Sequence, residues 1–351
     1  MNKKIAAITT TGALLGAAAL MAGCGSSSKS GGSSSATTPK STVSAGLVTD
    51  IGGINDRSFN FLANKGLQDS AAKLGFTPAL RESKAQTDYI PNIRRLATAG
   101  SNMIVTVGFL MGDATGKMAK QFPKVNFAIV DFSATDKAIG GAPNVRGLLF
   151  KEQEAGYLAG YLAGLVEKSK APRLNDKNVI GAVGGLKIPP VDHYIAGYKA
   201  GAEAADPGVT VLIDYSQDFV VQSKCKEQSL AHIAKGSDIE FQVAGQCGLG
   251  SLSAAQDKGV WGIGVDADQA YLGPHILTSA LKRVDVAVSK AIGDAAAGTF
   301  TGGSDAVFDL KVNGVGIGAI SPDVPADITS QLDKVKKDII DGKITVPDTV
   351  K

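Results

Sequence analysis

From Val43 onward the sequence changes period again and again. Short apolar runs suited to strands alternate with longer stretches whose apolar residues recur at helical spacing. The expected strands are 45–49, 103–107, 127–131, 146–150, 179–183, 209–215, 239–243, 260–266 and 276–280. The expected helices are 59–74, 90–99, 152–165, 192–205, 223–235 and 284–297, and Gly75, Gly100 and Gly236 stand where helix C-caps belong. Strand, helix, strand at this spacing means βαβ units and parallel sheets, hence an α/β fold. So many strands exceed one comfortable sheet, and a split near Lys151 makes two lobes. The tail differs: "VFDLKVNGVGIGAI" reads as a strand, a turn at Asn313–Gly314 and a second strand, followed by a polar helix over 326–341.

The 351 residues suffice for two domains with a substantial core. A net charge of +3, with no dense basic patch carrying interleaved aromatics, argues against a nucleic-acid partner.

The N-terminus carries an address. Lys3 and Lys4 precede an apolar stretch over 5–21, and "LMAGC" ends at Cys24, which is the pattern of a bacterial secretion signal. It resembles a lipobox, in which cleavage frees a cysteine for lipidation. The expectation is a signal peptide over 1–23, acyl chains on Cys24, and a Gly/Ser-rich tether over 24–42 that behaves as flexible coil. No later run approaches the roughly 20 apolar residues that span a bilayer. The protein is therefore expected on the extracytoplasmic face of the membrane, held by lipid. Once Cys24 is set aside, Cys225 and Cys247 remain. In an oxidising compartment such a pair is either a disulfide or two buried thiols.

Catalytic and cofactor signatures are absent. "GFLMGDATGKM" has Met111 where a P-loop needs its first glycine and Met118 where it needs Ser or Thr, and "GQCGLGS" has the wrong spacing for a dinucleotide fingerprint. His193, His232 and His275 lie far apart with no zinc-type spacing, and no G-x-S-x-G elbow occurs. His193, in "PPVDHY" at a helix start, either faces the cleft or is exposed on its helix, and exposure is the expectation. No cofactor, metal or enzymatic activity is expected.

What remains is a set of strand ends. Two parallel α/β lobes place their functional loops at the carboxyl ends of their strands. There stand Asp50, Asp131, Asp266 and Asp268, with Phe59, Phe109, Phe132 and Phe219 at the same level. Taken singly, each acid can be a cap or turn residue and each ring can be core. Within "VTDIGGINDRSFN", Ser58 is well placed to cap the following helix. Taken together, the carboxylates accept from hydroxyls and base N–H groups and the rings cover a flat base, so the set suits a nucleoside-like ligand.

The blocks "LVTDIGGINDRSFN", "GGLKIPPVDHYIAGYKAG", "VAGQCGLGSLSAAQDKG", "IGVDADQ" and "LTSALKRVDVAV" together resemble the basic membrane protein family of lipoproteins, which includes purine nucleoside receptors. The resemblance runs from about Ala45 to Asp341. It implies a type I periplasmic-binding-protein fold: two Rossmann-like lobes with parallel sheets and a hinge, over 43–148 with 277–303 and over 149–276 with 304–351. It implies a monomeric binding protein that delivers a purine nucleoside to an ABC permease. It also implies ligand contacts: Asp50 and Asp131 to the base, Phe59 and Phe219 stacking on it with Asn60 adjacent, and Asp266 and Lys282 to the ribose. Three places depart from the family pattern: Asn55, the "VVQ" after Phe219, and "GQC", which sets Cys247 near the cleft rim. A binder of a sugar or signalling furanose, a surface sensor and a lipid-anchored nucleoside hydrolase are the competing readings.

Overall fold

The computed structural model describes residues 42–169 and 171–350; the expected signal peptide, the lipidated Cys24 and the tether up to residue 41 lie outside them. The chain first builds β1 (Ala45–Val48), α1 (Phe59–Leu74), β2 (Ala79–Arg81), α2 (Tyr89–Thr98), β3 (Met103–Val107), α3 (Gly112–Gln121), β4 (Asn126–Val130) and β5 (Val145–Phe150). It crosses at Lys151 into α4 (Glu152–Glu167), β6 (Val179–Gly184), α5 (Pro189–Ala205), β7 (Thr210–Tyr215), α6 (Gln222–Ala234), β8 (Ser237–Val243), α7 (Gly245–Lys258), β9 (Trp261–Asp266) and β10 (Ile276–Lys282). It returns through Arg283 into α8 (Val284–Ala296) and β11 (Ser304–Phe308), then crosses again to β12 (Val315–Ile317) and α9 (Ala326–Ile340).

Two sheets of six strands result, ordered β11-β5-β4-β3-β1-β2 and β12-β10-β9-β8-β6-β7. Every pair is parallel except β10 with β12. The two orders are the same, and each sheet takes its last edge strand only after the chain has visited the other lobe. This is the two-lobed α/β architecture of type I solute-binding proteins. Strands buried on both faces by flanking helices read as continuous apolar runs, as "MIVTV" and "FAIV" do.

The pairing moves two expected boundaries. Segment 277–282 was expected in the first lobe, yet it is the body of β10 and sits between β9 and β12 in the second sheet. Segment 304–308 was expected in the second lobe, yet β11 pairs with β5 in the first. The strand, turn and second strand expected over 307–320 are present, but the two strands belong to different sheets, and Asn313, at φ 53°, turns the chain between them. Local pattern specifies a strand but not its partner, and at a hinge the nearest open edge belongs to the other lobe. Helices α3 and α7 were not among the expected helices, because "GDATGKMAKQ" and "GQCGLGSLSAAQDK" carry glycines of poor helix propensity.

Those glycines have a use that the α4–α5 pair shows most clearly. Gly156, Gly160 and Gly164 lie one turn apart on α4 and face the main chain of α5 at Tyr194, Tyr198 and Ala202. Gly197 and Gly201 on α5 return the contact against the carbonyls of Gln153 and Tyr157. The two backbones therefore pack directly on each other, which fixes α5 and the Tyr194 it carries.

Cys225 on α6 and Cys247 on α7 form a disulfide with Cα atoms 5.6 Å apart, fully buried beside Val183 and Ala244. Cys247 is buried rather than exposed, and its main-chain N–H donates to the Phe219 carbonyl (3.0 Å). The bond closes a span of 22 residues, for which loop-closure entropy is worth about 3 kcal/mol. Cys225→Ala with Cys247→Ala should lower stability by about that much, read by urea denaturation. An unchanged midpoint would show that helix packing alone sets this corner.

Candidate functional site

A strand order of this kind reverses between its first and third strands, and ligands bind outside that switch point. In the first lobe the switch lies between β1 and β3, where Asp50 and Gly108 meet. Gly108, at φ 110°, leaves room that a side chain would take: a Cβ there would come within 2.8 Å of Asp50 Oδ2. In the second lobe the matching ends are β6 and β8, where Gly185 lets the Phe219 ring lie against the backbone.

The loop after β1 is built by Asp56. Its Oδ1 accepts from the main-chain N–H of Ser58 (3.1 Å) and Phe61 (3.0 Å), and its Oδ2 accepts from Asn60 N (2.7 Å) and Asn60 Nδ2 (3.0 Å). The cap of α1 is therefore Asp56 and not Ser58, whose buried Oγ has no partner. A carboxylate can serve several orphaned N–H groups at once, whereas a hydroxyl serves one. Asn60 Oδ1 accepts from Asp50 N at 2.9 Å and so pins the strand end to the helix. Asp50 Oδ1 takes the Ile51 N–H (2.6 Å) and the Tyr89 hydroxyl. Burial raises the Asp50 pKa in spite of those two bonds.

Asp131 and Asp266 end the equivalent strands β4 and β9. Both sit in the left-handed region, at φ 63° and 60°, which swings their carboxylates off the strand line into the cleft. Between them stands Lys282 from the end of β10. Its Nζ is 2.7 Å from Asp131 Oδ2, 3.4 Å from Glu152 Oε1 and 3.9 Å from Asp266 Oδ1. The same ammonium lies over the rings of Phe59 (4.8 Å), Phe150 (5.4 Å) and Tyr194 (5.6 Å). The Tyr194 hydroxyl donates to Asp266 Oδ1 at 3.1 Å. Behind Glu152, His193 Nδ1 is 3.1 Å from Oε2.

This network is almost wholly buried, and desolvation dominates it. Burial raises the Asp131 pKa to about 7 although Lys282 opposes the rise, and it raises that of Asp266 to about 6 against the same cation. Burial works against the charged Lys282, but Asp131, Glu152 and Asp266 outweigh it and hold its pKa above the ordinary value. For His193 burial opposes the charge too, and the Glu152 bond wins, so its pKa is raised.

The sign of the resulting pH dependence follows. Asp131 and Asp266 hold their protons more tightly folded than unfolded, so stability falls as pH rises from about 4 to 7. Asp266→Asn removes one such carboxylate and leaves Lys282 two partners. It should match the wild type near pH 4 and exceed it above pH 7 by on the order of 2–3 kcal/mol. Thermal scans across that range check this, and a variant less stable at pH 8 would refute it.

One cavity collects these groups. Asp50, Asp131, Asp266 and Lys282 line it, with Phe59 and Phe219 as its aromatic walls, and Asn60 and Phe109 at its side. Phe59 is half-buried and faces the cavity rather than vanishing into its own lobe. Asp268 is not there: it is exposed and accepts from the main-chain N–H of Ala270 (3.1 Å) and Ala319 (3.0 Å), a turn residue. Phe132 is buried, tilted against Phe109 at 5.1 Å and packed on Gly112. His193 is not a free surface residue, since Glu152 holds it. Glu152, Tyr194 and Tyr89 were missed. They sit in or near first turns of helices, where sequence pattern shows only amphipathicity. Among the described residues no group of His, Cys, Asp and Glu could hold a metal ion, and no helix is long and apolar enough to cross a membrane.

Comparison with known proteins bears on the family and the fold. A family model described as "ABC transporter substrate-binding protein PnrA-like" matches residues 43–350. The ABC transporter nucleoside-binding protein BmpA of Lactococcus lactis is 34% identical over 331 residues, covering 88% of this chain and 90% of the relative. Basic membrane protein A1 of Borrelia garinii is 30% identical over 300 residues, covering 84% and 86%. The crystal structure of an ABC transporter solute-binding protein from Aeropyrum pernix superposes with a TM-score of 0.79 at 25% identity, covering 88% of this chain and 94% of that one.

Proposed function

The chain belongs to the family of PnrA-like ABC transporter substrate-binding proteins, and from that premise we propose that it captures a purine nucleoside between its lobes. The observation that carries this reading is the convergence, in one cavity, of two phenyl walls from opposite lobes with Asp50, Asp131, Asp266 and Lys282. The base stacks between Phe59 and Phe219, with Asp50 and Asp131 accepting from its N–H groups. Asp266 accepts from the ribose hydroxyls and Lys282 donates to them. Lobe closure about the three crossings seals the ligand from water. The relative from Lactococcus lactis, described as nucleoside-binding, supports the same ligand class.

The protein acts outside the cytoplasm, hands its solute to the permease of an ABC importer, and is held to the membrane by acyl chains on Cys24. Mass spectrometry of membrane-extracted protein tests the anchor; an unmodified cysteine or an uncleaved N-terminus would refute it. A thermal-shift panel of adenosine, guanosine, inosine, cytidine, uridine, free bases and sugars tests the ligand. A ligand at 100 times its Kd adds about 2.7 kcal/mol. Stabilisation by sugars and by no nucleoside would overturn the reading. Phe59→Ala should weaken nucleoside binding by about 1–3 kcal/mol, the worth of one base–aromatic stack, measured by calorimetry.

A further inference from the structure

Beside the main cavity lies a second chamber of about 210 Å³, walled by Phe132, Leu149, Phe150 and Pro189 with Glu152 and His193 to one side. The two spaces have Phe109, Asp131 and Pro190 in common, so Asp131 is a partition with space on either side. Asp131 commits Oδ2 to Lys282, while Oδ1 has no partner. An amine donating to this carboxylate from the main cavity directs any substituent it carries past the partition, between Phe109 and Pro190.

The chamber's chemistry narrows what that substituent can be. Its polar groups are already engaged: Glu152 by Lys282 (3.4 Å) and His193 (3.1 Å), Ser133 by Asp305 (2.6 Å), and Asp136 by the Ala138 N–H (2.8 Å). What it offers is phenyl, leucyl and prolyl surface. A polar substituent would find few free partners there, His193 Nε2 and the second Asp136 oxygen, and would lose its water, whereas an apolar one only sheds water.

We propose that this chamber is a specificity annexe, through which the cleft accepts purine nucleosides bearing an apolar group on the exocyclic amine of the base. The proposal rests on the nucleoside reading and on Asp131 facing the base. The test is calorimetry on the whole mature protein. The probes are adenosine and guanosine, each unmodified, benzylated on the exocyclic amine, or benzylated on the ribose primary hydroxyl. The amine-benzylated form of the bound nucleoside should bind within about tenfold of its parent, and the ribose-benzylated form far more weakly, since pocket fit discriminates by about 10- to 200-fold.

Leu149→Trp fills the chamber without touching the main cavity. It should keep the parent's affinity and lose the amine-benzylated ligand by more than about tenfold. If the parent binds and the amine-benzylated form does not, the annexe is wrong and the nucleoside reading stands. If the ribose-benzylated form is the one tolerated, or if Leu149→Trp treats both ligands alike, the annexe is also wrong. If no nucleoside binds, both ideas fall. Should Leu149→Trp not fold, the two benzyl positions on the wild type decide alone.

Discussion

Lys282→Met should unfold far below the wild-type temperature at about pH 8 and close to it at about pH 5, the cost at the higher pH being about 3–5 kcal/mol. The Lys282 ammonium stands among Asp131, Glu152 and Asp266, at 2.7, 3.4 and 3.9 Å, with His193 behind Glu152. Methionine keeps the length of the stem and removes the charge. The carboxylates left behind either stay ionised without a partner or take up protons. Asp131 and Asp266 already have raised pKa values, about 7 and about 6, with the cation present. Without it both rise further, so at pH 5 they are protonated and the loss is small. At pH 8 protonation must be driven against the solution. Because the Lys282 pKa is itself raised, its stabilising charge is fully present through this whole range. Thermal or urea unfolding at the two pH values measures the difference. An equal loss at both would mean that the ammonium's contacts with the Phe59 and Phe150 rings, rather than its pairing with the titrating carboxylates, carry the effect.

Gly160→Val should be strongly destabilising, costing about 3 kcal/mol or more, at or beyond the upper end for overpacked sites. A Cβ at Gly160 would overlap the carbonyl oxygen of Tyr198, which is backbone and cannot swing aside. The strain runs along α5 to Tyr194, whose hydroxyl meets Asp266. Binding should therefore weaken along with stability. Gly293 is the control: it is helical, in α8, with nothing within 4 Å of its missing Cβ. Gly293→Ala should be neutral or stabilising by up to about 1 kcal/mol, since alanine restricts the unfolded chain. Denaturation midpoints of the two variants decide it; similar values would mean that α4 and α5 can slide apart at little cost.

Much of this molecule is legible in its sequence because a parallel sheet writes itself locally. Each βα unit shows an apolar run and then a helical stripe, so β1, β3, β4, β6 and β9 and most of their helices can be read directly. Asp50, Asp131, Asp266 and Phe59 stand out because a charge or a ring at a strand's end breaks the pattern. Pairing is different, since it joins residues far apart. Nothing in "ILTSALK" or "SDAVF" says which sheet each will join, and both were assigned to the wrong one. Helices α3 and α7 were hidden by glycines that serve close packing. Glu152, His193 and Tyr194 were hidden because a helix face looks the same whether it meets solvent or a buried lysine. The cap of α1 misled for a simpler reason: Ser58 stands at the usual position, but Asp56 reaches further and can accept more bonds.

The exchange of edge strands between lobes also bears on the order in which the chain becomes able to fold. The first sheet needs β11, at Ser304–Phe308, which lies more than half the sequence beyond β1. Helix α8, which packs on α1 through Gly66, arrives just before it. As the chain leaves a ribosome N-terminus first, its leading lobe therefore lacks an edge strand and a covering helix until the trailing lobe has almost wholly emerged. A half-made molecule has no pair of finished lobes with which to close around a solute, and its two halves come to completion nearly together.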